Sequence, residues 1–230
     1  MKHIKYIFFD LDHTLWDFEK CSQETLSELF RQYHAHIGAK HRFEDFVSIY
    51  RRNNEALWRA YERNEINTAG IRKKRWELTF GEMKVEMGEW SEAMAADYIY
   101  QCPRKPHLIP GAKEVLDYLQ RDYEIHMITN GWWDNQLTKL SHSGIKDYFG
   151  AIVTSDKAES KKPHRDIFDF ALASAQAEKE ACVYIGDSYT ADVEGGMNAG
   201  WDVIYFNPKG YENSQKAPEI AELKELITIF

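Results

Sequence analysis

Asp10 and Asp12 stand two residues apart where a short apolar run, Ile4 to Phe9, comes to an end. Two carboxylates at that spacing project differently once the chain leaves an extended segment. One can then be a nucleophile and the other a general acid and base. Other polar groups recur at comparable places: Thr14 just downstream, Thr129-Asn130-Gly131, Lys161-Lys162-Pro163, and Gly186-Asp187-Ser188 followed by Asp192. A carboxylate that attacks a phosphate dianion brings like charges together, so a divalent cation must lie between them. A ligand set made of oxygens alone, from Asp10, a carbonyl of the same loop and Asp187, suits magnesium better than zinc. Thr129, the backbone N–H groups near Asn130 and Gly131, and a lysine would hold the remaining phosphate oxygens.

Elements must bring these residues together. Ile4 to Phe9 reads as a buried strand. Residues 18 to 100 then read as helix after helix. Leu26, Leu29, Phe30 and Tyr33 recur at the helical period, and so do Phe43, Phe46, Val47, Tyr50, Leu57, Trp58 and Tyr61. Further helices are expected over Ile71 to Phe80 and Ser91 to Tyr100. Pro103, Pro106 and Pro110 mark a linker, and Pro110-Gly111 opens a helix carrying Ala112, Val115, Leu116 and Leu119. Strands are expected at Glu124 to Thr129, Ala151 to Thr154, Cys182 to Ile185 and Val203 to Phe206. Helices should follow Trp132 and Pro163, run on to about Ala199, and close the chain with Ile220, Leu223 and Leu226 on one element.

Strands alternating with helices imply an α/β fold: a Rossmann-like parallel sheet with helices on both faces. An all-helical insert cannot join that sheet and is expected to cap it. The boundaries read as residues 1–17 and 103–230 for the catalytic core and 18–102 for the helical cap. In an open sheet of this kind ligands bind at the carboxyl ends of the strands. Every polar group singled out above falls on that edge. Taken singly they are ambiguous: Asp-x-Asp-x-Thr also suits a polar turn, Lys-Lys-Pro a solvated helix start, and Gly-Asp-Ser a helix N-cap. Their convergence carries the functional reading.

With these residues in this order, the sequence resembles the haloacid dehalogenase superfamily, over essentially the whole chain. The resemblance implies that Asp10 becomes a phosphoaspartate, and that Asp12 protonates the leaving oxygen and then activates water. It implies that Asp10, the backbone carbonyl of Asp12 and Asp187 bind magnesium, with Asp192, Thr14 and Ser188 in support. Thr129 and one lysine would bind phosphate. That lysine usually precedes a proline, which selects Lys162. The family's usual glycine three residues earlier is Glu159 here, and His164 and Arg165 follow Pro163. The dehalogenases of the superfamily lack a carboxylate at the position of Asp12, so the resemblance points to a phosphatase. Phosphonate-cleaving relatives would need an insert lysine, for which Lys20, Lys40, Lys73 and Lys74 are the candidates. Phe8 to Phe18 followed by an immediate helix is similar to the subfamily of pyrimidine 5'-nucleotidases that clear noncanonical nucleotides. Sugar-phosphate and phosphoglycolate phosphatases share most of these residues and form the alternative. A phospho-aspartate receiver domain is a reading from another class, disfavoured by its shorter length and by Asp12. A binding protein that has lost catalysis is disfavoured by the complete polar set.

Composition narrows the partners. A formal net charge of -8 disfavours a nucleic acid polymer and leaves a small phosphomonoester as the expected substrate. Cys21, Cys102 and Cys182 have no CxxC spacing and suggest neither zinc nor disulfides. The N-terminal apolar run is too short for a signal peptide and no stretch reaches membrane-spanning length, so a cytoplasmic protein is expected. Trp16, Phe18, Trp132 and Trp133 could stack on a nucleobase or fill core. The run Arg72-Lys73-Lys74-Arg75 reads as a solvated helix face. His13 is expected to shape its loop, and His34, His36 and His41 to lie at the surface.

Overall fold

The computed structural model describes residues 4–214 and 216–230, so the first three residues of the N-terminal run lie outside the description. The chain divides into two compact units, Met1–Phe18 with Lys105–Phe230, and Glu19–Arg104.

The first unit is built on one sheet. Its strands are β1 (Tyr6–Phe9), β2 (Glu124–Thr129), β3 (Phe149–Thr154), β4 (Cys182–Gly186), β5 (Asp202–Phe206) and β6 (Glu219–Ile220). They lie in the order β3-β2-β1-β4-β5-β6, and every neighbouring pair is parallel. A parallel strand covered on both faces must be apolar throughout. Ile7, Phe8 and Phe9 meet that demand and are fully buried. From β1 the chain adds strands outward through β2 and β3, then returns to the other side of β1 and adds β4, β5 and β6. The direction reverses between β1 and β4, which opens a crevice beyond their carboxyl ends. Phe9 pairs with Ile185 and with Met127, and the Asp10 N–H donates to the Ile185 carbonyl at 2.9 Å. Asp10 is therefore the first residue past the central strand, at the reversal point.

Glu19–Arg104 is helical. It holds most of α1 (Phe18–Gln32), then α2 (His34–Ile37), α3 (Phe43–Glu62), α4 (Thr68–Met83) and α5 (Glu89–Gln101), with no strand among its described residues. The Asn67 side chain caps α4 by accepting from the Gly70 N–H at 2.9 Å. An aromatic cluster fills the interior. Tyr50 lies 5.1 Å from Trp76 and 5.5 Å from Tyr98 between ring centres, and Phe46 lies 6.1 Å from Phe80. The sheet unit adds α6 (Ala112–Leu119), α7 (Trp133–Ser143), α8 (Arg165–Ala175), α9 (Gly195–Asn198) and α10 (Leu226–Ile229). No helix among the described residues is long and apolar enough to cross a membrane.

Three expectations change. Ile220 belongs to a sixth strand, not to the final helix: Asn207 donates to its carbonyl at 2.8 Å, because β5 alone would leave an open sheet edge. The segment after Ser188 is not a plain helix but a π-helical turn, Tyr189–Glu194, continued by α9. Arg72, Lys73 and Lys74 are exposed, whereas Arg75 is buried. Its guanidinium donates to the Tyr50 hydroxyl at 3.2 Å and to the Ile71 carbonyl at 3.3 Å. Of the two readings open for Trp16, it takes core: it is fully buried, with its indole N–H bound to the Lys105 carbonyl at 3.1 Å.

Candidate active site

The loop after β1 turns sharply. His13 takes a left-handed backbone angle, φ +67°, and its ring packs 5.0 Å from Phe18. The turn buries Thr14 beneath the two strand-end aspartates. The Thr14 hydroxyl lies 3.3 Å from Asp10 Oδ2 and 3.3 Å from Asp187 Oδ1. Ligand oxygens of Asp10, Asp187 and Asp192 all lie within 4.8 Å of one another.

Lys162 enters this acidic cluster from the loop before α8. Its Nζ donates to Asp10 Oδ1 at 2.6 Å, Asp192 Oδ1 at 2.6 Å and the Tyr184 hydroxyl at 2.7 Å. Asn130 anchors that loop: Oδ1 accepts from the Lys162 N–H at 2.8 Å and Nδ2 donates to the Lys162 carbonyl at 3.0 Å. The Asn130 side chain is thus committed to holding the lysine. Three residues before Lys162, Glu159 has φ +49°, a left-handed angle that suits glycine and that the loop retains with a glutamate.

The charges do not balance. Three carboxylates share one ammonium. Burial pushes the Asp10 carboxyl up to about 7 against the pull of Lys162, and Asp192 and Asp12 add to the rise. Burial, then the neighbouring Asp10 and Asp192, push Asp187 well above the usual carboxylate range. Burial alone would lower Lys162, but Asp10 and Asp192 outweigh it and raise the ammonium. Asp192 is already spent: Oδ1 receives Lys162 and Tyr184, and Oδ2 accepts the Ser188 N–H at 2.9 Å. Among the described residues the Asp187 carboxylate accepts only from the Thr14 hydroxyl, on Oδ1. An excess of negative charge, carried entirely by oxygen, fits a hard divalent cation at Asp10 and Asp187. Asp192 holds Lys162 in place. Ser188 caps the π-helical turn, its hydroxyl accepting from the Ala191 N–H at 3.2 Å.

Asp12 faces a different set. Lys139 Nζ donates to its Oδ1 at 2.6 Å and Oδ2 at 2.8 Å, and lies 4.6 Å from the centre of the Trp16 ring. Gln136 Nε2 donates to Asp12 Oδ2 at 3.0 Å and to the Thr129 hydroxyl at 2.6 Å. Burial would raise the Asp12 carboxyl, but the charge of Lys139 and the bonds from Lys139 and Gln136 overcome it and lower it. The Asp12 side chain keeps 26% of its surface exposed, so solvent screens part of this ion pair. Thr129 Oγ1 also accepts from the Gly131 N–H at 3.2 Å. Gly131 has to be glycine for this packing, since a Cβ there would stand 2.2 Å from Gln136 Nε2.

All the candidate residues therefore gather at one sheet edge: Asp10, Asp12, Thr14, Thr129, Asn130, Gly131, Lys162, Asp187, Ser188 and Asp192. Sequence reasoning missed Gln136, Lys139 and Tyr184. The first two sit one turn apart on α7, the helix that opens straight after Thr129-Asn130-Gly131, so their spacing places both on one face. That signal was available. Tyr184 lies inside an apolar strand and offered none.

Comparison with known proteins agrees with this architecture. The family model described as haloacid dehalogenase-like hydrolase matches residues 7–206. Pyrimidine 5'-nucleotidase PynA of Streptococcus pneumoniae is 31% identical over 221 residues, 95% of this chain and 90% of that protein. Pyrimidine 5'-nucleotidase YjjG of Escherichia coli is 29% identical over 96% of this chain and 97% of its own length. Among solved structures, HAD-hydrolase YfnB from Bacillus subtilis, bound to magnesium, superposes with a TM-score of 0.87 at 27% identity, covering 99% of this chain and 98% of its own. The family match over residues 7–206 takes in both units and the strand-end aspartate with its lysine, and it shows that this chain is a member of the haloacid dehalogenase-like hydrolases.

Proposed function

We propose that this protein is a magnesium-dependent phosphatase that hydrolyses small phosphomonoesters through a phosphoaspartate on Asp10, with pyrimidine nucleoside 5'-monophosphates as its substrate class. The observation that carries the reading is Lys162 Nζ, 2.6 Å from Asp10 Oδ1, within a cluster of three carboxylates at the sheet's reversal point. Two relatives, 31% and 29% identical over nearly the whole chain, are named pyrimidine 5'-nucleotidases, which supports the substrate class.

In this reading an Asp10 oxygen attacks phosphorus and the ester oxygen departs with a proton from Asp12. Water, giving its proton to Asp12, then attacks the phosphoaspartate, frees inorganic phosphate and restores Asp10. Asp10 and Asp187, with the Asp12 carbonyl, would hold magnesium, which when bound offsets the charge of the carboxylates and the phosphoryl oxygens. Lys162 orients Asp10 and meets a phosphoryl oxygen. The Thr129 hydroxyl meets another. Lys139 and Gln136 fix the Asp12 carboxylate, so the proton is moved at a defined position.

A phosphate-release assay with magnesium across nucleoside monophosphates, sugar phosphates and phosphoglycolate tests the proposal. Turnover is expected to favour pyrimidine monophosphates and to stop on chelation. Asp10→Asn should lower kcat at least about a thousandfold, as loss of a nucleophile does in other covalent catalysts. Full activity in that variant would sink the mechanism, and a preference for sugar phosphates would overturn the substrate class.

A further inference from the structure

Gln136 is fully buried and both protons of its amide nitrogen are spent, one on Asp12 Oδ2 at 3.0 Å and one on Thr129 Oγ1 at 2.6 Å. The amide cannot be reversed without setting its oxygen against the Asp12 carboxylate. Its Oε1 is buried and has no hydrogen-bond partner among the described residues, so the side chain holds this orientation at a cost. The consequence falls on Thr129. A hydroxyl has two acceptor lone pairs and one proton. Gly131 N–H at 3.2 Å and Gln136 Nε2 at 2.6 Å occupy both lone pairs, and the hydroxyl donates to no group among the described residues. Its proton is left pointing away from both donors.

We propose that Gln136 is a positioning residue that sets the polarity of the Thr129 hydroxyl, keeping it an obligatory donor toward a phosphoryl oxygen while tying it to Asp12. The inference rests on the phosphatase reading above and deepens it. Without Gln136 the hydroxyl could rotate and satisfy its proton on a neighbouring acceptor, and binding phosphate would first have to undo that bond. With it, the donor is set before the ligand arrives. The same amide couples phosphate binding to the acid–base aspartate, because one nitrogen serves both.

The test is calorimetric titration of inorganic phosphate into the full-length protein with magnesium present, which needs no turnover. Gln136→Met should weaken phosphate binding about tenfold, the worth of one well-aligned bond to a charged group. Thr129→Val should weaken it at least as much. The double variant should bind like Thr129→Val alone, because Gln136 acts through that hydroxyl. Gln136→Glu keeps the shape but offers an acceptor that captures the Thr129 proton. It should bind phosphate more weakly than Gln136→Met, and it serves if the latter fails to fold. Losses that add in the double variant, or a Gln136→Met protein that binds phosphate as tightly as wild type, overturn the inference. If the unaltered protein releases phosphate from nucleotides in either case, the phosphatase reading stands and only the role of Gln136 falls.

Discussion

At the scale of single residues, the site is dominated by an unbalanced charge. The Asp10 carboxyl sits near 7 in the folded protein, against 3.8 ordinarily. In the metal-free protein the folded state therefore binds more protons than the unfolded state between about pH 4 and pH 7. Stability must fall as pH rises through that window. A divalent cation reverses the penalty by favouring the ionised form. Magnesium should thus raise the melting temperature more at pH 8 than at pH 5, each measured against a chelated sample. Equal increments at the two pH values would show that the carboxylates are not the ligands. Lys139 and Gln136 shape Asp12 in the opposite sense. Two carboxylates two residues apart are held on opposite sides of their usual range by different neighbours, and the proposed reaction needs a bound cation to return Asp10 to the ionised form.

At the scale of elements, small residues let the loops close on one another. A Cβ on Gly186, the last residue of β4, would stand 2.3 Å from Asp192 Oδ2 and 2.4 Å from its Cγ. Gly186→Ala must push Asp192 out of its bonds with Lys162, Tyr184 and the Ser188 N–H. Lys162 would then keep only Asp10 and the Tyr184 hydroxyl, and the carboxylates proposed to bind the metal would lose their orientation. Magnesium affinity should fall by about ten- to a hundredfold, the usual cost of losing a group that orients metal ligands. Calorimetric titration of magnesium measures it, and unchanged affinity would refute the role given to Asp192. Near-overlap occurs at Gly131, just past β2, and at Gly186, the last residue of β4. In both places a backbone must come closer to a side chain than any other residue allows.

At the scale of the whole molecule, the three thiols report how tightly each unit is packed within itself. Cys21, Cys102 and Cys182 are all buried and none is in a disulfide, and burial pushes the Cys182 thiol up to about 12, with Glu180 adding to it. Reaction with a thiol reagent needs an exposed thiolate. The native protein should therefore react slowly, at a rate set by opening of the structure, and all three thiols should react at once in denaturant. Rapid modification of even one thiol under native conditions would mean that its unit opens readily. Cys21 and Cys102 report on Glu19–Arg104, and Cys182 reports on the sheet unit.

The sequence by itself determined the parallel sheet, the helical insertion and the identity of the strand-end residues. Each of these rests on local information: apolar runs of strand length, a helical period, and polar residues placed where such runs stop. Asp10, Thr129 and Asp187 were legible for that reason, and Lys162 from the proline after it. Tertiary structure alone decided the rest. Ile220 became a strand because β5 offered an open edge 14 residues earlier in the chain, and no local signal distinguishes a two-residue strand from a helix start. Arg75 went inside although its three basic neighbours did not, since only the packed helices decide which side of a turn meets Tyr50. Gln136 and Lys139 resemble ordinary surface residues of an amphipathic helix. They became part of the site only when the parallel crossover from β2 laid that face of α7 over Asp12, a contact spanning more than a hundred residues of sequence.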